Sequence, residues 1–181
     1  MDEQLEFARD IARRLGGAGI DYMLTGSMAQ AVYATPRMTR DVDFVVACSP
    51  ADVDTFVRLF EPDCYIDRSA VAEAVADRTM FNIIHHDWII KADFMVRKDD
   101  PYRRTEFDRR REIEIQGAPL AVVAPEDLIL SKLKWSQDTG SELQRRDARE
   151  IVAAGGPLDW AYLETWARQL GVGDLLEAIR R

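Results

Sequence analysis

Cysteine and histidine are scarce, with two of each in 181 residues. Cys48 and Cys64 are too few for a disulfide framework. His85 and His86 are adjacent, so on a strand they face opposite ways and cannot chelate together, and no Cys/His set has the spacing of a zinc site. No apolar run approaches the roughly 20 residues that cross a bilayer. The acidic, amphipathic start MDEQLEFARD does not read as a signal peptide, so a cytoplasmic location without membrane partners is expected. Positive charge is in short supply too. The 24 Lys and Arg against 32 Asp and Glu leave a formal charge of −8, which argues against tracking long DNA by bulk attraction. No internal repeat or low-complexity linker interrupts the chain. Hydrophobic content of 47% and charged content of 31% suit one globular domain with a sizeable core.

What is present centres on Tyr22 to Val46, YMLTGSMAQAVYATPRMTRDVDFVV. A short apolar run, Tyr22 to Thr25, is broken by Gly26-Ser27, and Met28 to Tyr33 follows as a short helix with Ser27 expected at its N-cap. Pro36 stops any helix from continuing. Asp41, Asp43 and Val45 then alternate with Val42, Phe44 and Val46, a period-2 strand with two carboxylates on one face. Same-face neighbours lie about 6.6 Å apart. That spacing suits a pair of hard cations about 3.5–4 Å apart with oxygen ligands at about 2.0–2.1 Å. A glycine that lets backbone come close, N–H groups at a helix start and a hydroxyl are what a triphosphate needs.

Gly26-Ser27 followed about fifteen residues later by Asp41-Val42-Asp43 resembles the signature of the nucleotidyltransferase superfamily of the DNA polymerase β type. The resemblance implies an α+β fold, a small mixed twisted sheet packed with helices, with a C-terminal helical part. It also implies a third carboxylate between hydrophobic residues on a neighbouring strand. Asp93 in Lys-Ala-Asp-Phe-Met fits that pattern, where it would help hold the metal or act as base. On the residues alone, Lys91 and Asp93 in an apolar strand are equally well explained by a solvent-facing edge.

Elsewhere the pattern predicts a helix over 3–15 ended by Gly16-Gly17, and a helix after Ser49-Pro50. Two strands, Thr79–His85 and Trp88–Val96, are expected to be joined around His86-Asp87, and residues 103–111 to form a charged helix. Between Arg97 and Arg111, seven basic residues stand against four acids. That cluster reads as a solvated surface or as a landing site for an anionic acceptor such as RNA. Residues 1–123 are expected to form the α/β core and 124–181 the helical part, which opens at Ala124-Pro125-Glu126-Asp127. The stretch PEDLILSKLKW…RRDAREIV resembles the AbiEii-like branch of the superfamily, which carries a lysine and an aspartate matched here by Lys132 and Asp147. Taken without the resemblance, these two are a salt bridge between successive helices. Lys134 is the alternative lysine.

The expected activity is Mg²⁺-dependent transfer of a nucleoside monophosphate from an NTP to an acceptor, with two ions. Asp41, Asp43 and Asp93 would hold the metal. Gly26 and Ser27 would grip the β- and γ-phosphates, and Arg40 would neutralise triphosphate charge or form a structural ion pair. Lys132 would assist at the phosphates with Asp147 behind it. The acceptor is left open between RNA such as tRNA, protein and a small molecule. The role is left open between a toxin with an antitoxin partner and an antibiotic-modifying enzyme. A non-catalytic nucleotide-binding module and a purely structural domain are the rival classes.

Overall fold

The structure, a computed structural model, describes residues 2–36 and 41–180, and residue alternation decides which way its sheet faces. The strands are β1 (Tyr22–Thr25), β2 (Asp41–Val46), β3 (Cys64–Tyr65), β4 (Met80–His85), β5 (Lys91–Val96), β6 (Arg111–Ile115) and β7 (Ala118–Val122). They form one mixed sheet in the order β3-β4-β5-β2-β1-β7-β6. β2 lies antiparallel to β1 and parallel to β5. In β2, Val42, Phe44 and Val46 are buried while Asp41, Asp43 and Val45 are only partly so, as a period of two requires.

Helices α1 (Asp2–Gly17), α2 (Gly26–Tyr33), α3 (Val53–Phe60), α4 (Arg68–Asp77) and α5 (Pro101–Asp108) punctuate the strands, and α6 (Pro125–Thr139), α7 (Glu142–Ala153), α8 (Trp160–Leu170) and α9 (Gly173–Arg180) follow. The inward face of the sheet is an aromatic core. Phe94 stacks on Phe44 at 5.8 Å and on Phe81 at 5.3 Å, and Phe56 of α3 meets Phe81 and Phe94 edge-on at 5.0 Å. Phe7, Ala8, Ile11, Ala12 and Leu15 of α1 are buried as one stripe. Burying each large apolar side chain is worth about 1.5–3 kcal/mol, so this face pins the strand register. With Phe44 and Phe94 inside, Asp43 and Asp93 must point out of the opposite face.

α6 packs against α7, α8, α9 and α2. It is also tied to the α/β part by charge: Arg109 bonds Glu126 at 3.1 Å and Asp127 at 3.0 Å, both acids being buried. The Tyr162 hydroxyl donates to Asp127 at 2.5 Å. No helix among the described residues is long and apolar enough to cross a membrane.

Three local expectations need correction. α1 runs through Gly16-Gly17 and closes instead at Gly19 (φ +70), where the N–H of Ile20 bonds the Leu15 carbonyl at 3.0 Å. The β4–β5 hairpin is longer than His86-Asp87. Trp88 leaves the strand to stack on His85 at 4.1 Å, and His85 Nδ1 accepts the N–H groups of Asp87 and Trp88 at 3.2 and 3.3 Å. The charged helix begins at Pro101, because the Asp100 side chain caps it by accepting the N–H of Arg103. It ends at Asp108, and Arg111 belongs to β6.

Candidate active site

Antiparallel and parallel pairing converge on Asp43. It is the register partner of Thr25 on β1 and of Asp93 on β5, and the same β2–β5 ladder sets Asp41 beside Lys91. Three carboxylates and one ammonium therefore form a two-by-two patch on the open face, since adjacent strands run about 4.8 Å apart. Lys91 Nζ lies 2.7 Å from Asp93 Oδ2 and 3.7 Å from Asp41 Oδ2. The other Asp93 oxygen, Oδ1, is buried without a hydrogen-bond partner among the described residues. Burial, then the charges of Asp93 and Asp41, pushes the Asp43 carboxyl up to about 6. Hydrogen bonding to Asp93 raises the Lys91 ammonium despite partial burial.

Gly26 makes this crowding feasible. Its φ is +65, and a Cβ there would lie 2.0 Å from Asp43 Oδ2. The carboxylate thus rests directly on the backbone where α2 starts. That helix begins two residues earlier than the sequence suggests: Thr25, not Ser27, is the N-cap, and its side chain makes no capping bond. Ser27 instead sits buried in the first turn and lines the cleft. The first turn of a helix has N–H groups without intrahelical partners and carries the positive end of the helix dipole. Gly26→Ala is expected to lower Tm by about 2–8 °C, because left-handed backbone costs about 1–2 kcal/mol with a side chain. Displacement of Asp43 should also abolish any Mg²⁺-dependent stabilisation by nucleotide. Thermal unfolding with and without NTP checks this, and an unchanged Tm with an unchanged ligand shift would contradict it.

Asp41, Asp43, Asp93 and the helix start line a cleft of about 680 Å³, which Arg103, Glu106, Ser131, Lys132 and Trp135 also line. Lys132 and Asp147 are brought together. Both are buried, with Nζ 2.8 Å from Asp147 Oδ2 and 3.2 Å from Gln144 Oε1. Lys134 does not line the cleft and pairs with Asp138 at 2.8 Å. Arg40 lies outside the described residues.

Among the described residues, no group of three or more His, Cys, Asp or Glu side chains is gathered closely enough to hold a metal ion. The chemistry of the patch nonetheless suits a hard divalent cation: oxygen donors only, a buried carboxylate oxygen lacking a partner, and mutual repulsion that a cation would relieve. Lys91, beside the carboxylates, and Glu106 and Trp135, which line the cleft, were not expected as site residues. Lys91 was visible on the correct face but not as a neighbour of Asp41. Glu106 is buried with Arg103 at 2.7 Å and Ser131 at 2.7 Å. Trp135 is 57% exposed, since it falls off the buried stripe of Leu128, Ile129, Lys132, Leu133 and Ser136.

Neither a protein-family model nor a curated protein matches the sequence. Solved structures do match in shape. An antigenic nucleotidyltransferase-like protein from Paracoccidioides brasiliensis superposes with a TM-score of 0.64 at 18% identity, over 99% of this chain and 93% of that one. The antibiotic-resistance factor ANT(2'')-Ia gives 0.59 at 11% identity, over 99% and 98%. The lincosamide antibiotic adenylyltransferase LnuA, with lincomycin bound, gives 0.55 at 10% identity, over 85% and 98%. At such identities the likeness is one of architecture, and the architecture is the nucleotidyltransferase fold, polymerase β-like, that the Gly-Ser and Asp-x-Asp motifs implied.

Proposed function

We propose that the chain transfers a nucleoside monophosphate from an NTP to the hydroxyl of a small acceptor molecule. The observation that carries this reading is the union, in one cleft, of the Asp41–Asp43–Asp93 patch with the start of α2 at Gly26-Ser27. Asp41, Asp43 and Asp93 would hold Mg²⁺, which when bound neutralises triphosphate charge. The first turn of α2 and Ser27 bind phosphate oxygens by N–H and O–H donation. Lys132, which lines the same cleft, adds a point charge oriented by Asp147 and Gln144. The acceptor oxygen bonds to the α-phosphorus, the bond to the bridging oxygen breaks, and pyrophosphate leaves with the electron pair. The acceptor's proton passes to Asp93. Positioning and charge complementarity supply the acceleration.

Two observations favour a small acceptor over RNA. The cleft has the size of a small-molecule site. The arginines of the cluster are also paired with carboxylates: Arg97 and Arg104 face Asp99, Arg103 faces Glu106, Arg110 faces Asp21, and Arg109 and Arg111 share Glu126. ANT(2'')-Ia and LnuA, which have the same architecture, are an antibiotic-resistance factor and an antibiotic adenylyltransferase. The joined Lys132–Asp147 pair supports a second reading, an AbiEii-like toxin that works beside an antitoxin.

The test is thermal unfolding with each of the four NTPs, with and without Mg²⁺. A ligand at about 100 times its Kd stabilises by about 2.7 kcal/mol. Wild type should show a Mg²⁺-dependent rise with at least one NTP, and Asp41→Asn/Asp43→Asn should show none. A rise that survives the double replacement would place the nucleotide elsewhere.

A further inference from the structure

We infer that Lys91 is a built-in cation of the carboxylate patch, so that the chain takes one divalent ion with its triphosphate where two were expected. The inference rests on the nucleotidyltransferase reading of the cleft and concerns how the same site is charged.

The argument begins with the ladder. β5 lies between β2 and β4, and Lys91 is held on both sides, opposite Asp41 on β2 and opposite Ile84 on β4. Its backbone position is therefore set by the sheet. Alternation sends its side chain to the face that carries Asp93 two residues on. There Nζ lies 2.7 Å from Asp93 Oδ2 and 3.7 Å from Asp41 Oδ2. It bridges the acid that opens β2 and the acid of β5, as an ion shared by those two would. Asp43, on the other diagonal, rests over Gly26 at the start of α2, beside the place argued above for the triphosphate.

Charge points the same way. Three carboxylates against one ammonium leave two negative charges, which one divalent cation balances. A second divalent ion would have to lie within a few ångströms of Lys91. An ammonium and a divalent ion in one small cluster repel each other strongly where water is partly excluded. Lys91 has only to stay where it is for the second position to be closed.

The test counts ions. Mn²⁺ bound per chain is measured by electron paramagnetic resonance in the presence of the α,β-methylene analogue of each of the four NTPs in turn. Wild type and Lys91→Arg should each bind one Mn²⁺ per chain beside the nucleotide, and Lys91→Met should bind two. In the absence of metal, Lys91→Met should also melt below wild type, and Mn²⁺ should raise its Tm by more than it raises that of wild type. A surface ion pair of no consequence for the site would leave the count at one in all three proteins, which overturns the inference. Two Mn²⁺ in wild type would overturn it as well, by showing that Lys91 yields to a second ion, while leaving the nucleotidyltransferase reading intact. Absence of any nucleotide-dependent Mn²⁺ binding in wild type would defeat that reading, and this inference with it. Where Lys91→Met does not fold, Lys91→Gln takes its place in the same count, with two Mn²⁺ expected and one overturning the inference.

Discussion

Asp43→Asn is expected to produce a protein that is more stable and nearly inactive. Asp43 is partly buried, rests on Gly26, and faces Asp93 and Asp41, so its carboxyl is pushed up to about 6. The unfolded value is about 3.9. A folded-state pKa above the unfolded one means that the native protein holds the proton more firmly. The stability contributed by this group is full below about pH 4 and is lost as pH rises through about 6. Two units of difference correspond to nearly 3 kcal/mol, and the solvent that still reaches the side chain reduces this to about 1–2 kcal/mol. Asparagine has the same shape and no charge to lose. In metal-free buffer the variant should therefore match wild type near pH 4 and exceed it by about 2–8 °C in Tm at pH 7.5.

Turnover, read as pyrophosphate release, should fall by at least about 10²–10³-fold, the range seen when one preorganised charge-stabilising group is removed. Mg²⁺ with NTP should stabilise wild type and not the variant, reversing their order. A carboxylate that serves the fold would behave oppositely, with a lower Tm in the variant at pH 7.5 and no change in its response to nucleotide.

The stretch that builds this site was legible because it is local. Alternation between Asp41 and Val46 shows which side chains share a face, and the burial of Val42, Phe44 and Val46 agrees with it. The same logic placed Asp93 opposite Phe94. What alternation cannot convey is which strand lies beside which, and in what register. Asp41 finds Lys91, and Asp43 finds Asp93, through a parallel ladder between segments about fifty residues apart. Lys91 therefore looked like a solvent-facing charge until its neighbour was known.

The arginines of 97–111 were unreadable for the same reason. Carboxylates at positions 21, 126 and 127 neutralise three of them, and a window of sequence sees only the local excess of positive charge. The shift of the α2 cap from Ser27 to Thr25 has a different origin. Glycine at φ +65 turns the chain abruptly enough for the helix to start at once, whereas capping preferences alone favour the serine.

The buried Lys132–Asp147 pair gives the other large effect, and it separates what the pair does for the fold from what it does in the cleft. The two residues come from successive helices, α6 and α7, and meet at 2.8 Å with almost no exposure. Removing one partner of a buried ion pair strands the other and costs about 3–5 kcal/mol, whereas replacing both by apolar residues of similar volume is often neutral. Lys132→Met and Asp147→Leu should each lower Tm by about 6–20 °C, and the double variant should recover most of that loss.

Activity should not recover. Lys132 also lines the cleft, and without its ammonium the triphosphate loses a positive charge that apolar packing cannot replace. The double variant should therefore melt near wild type, bind NTP more weakly and turn over at least about 10²-fold more slowly. Calorimetry and pyrophosphate release on the four proteins decide between the alternatives. A stable double variant with wild-type turnover would reduce the pair to a bolt between two helices. A stable and inactive one would put Lys132 at the phosphates, with Asp147 as the residue that lets an ammonium be buried there.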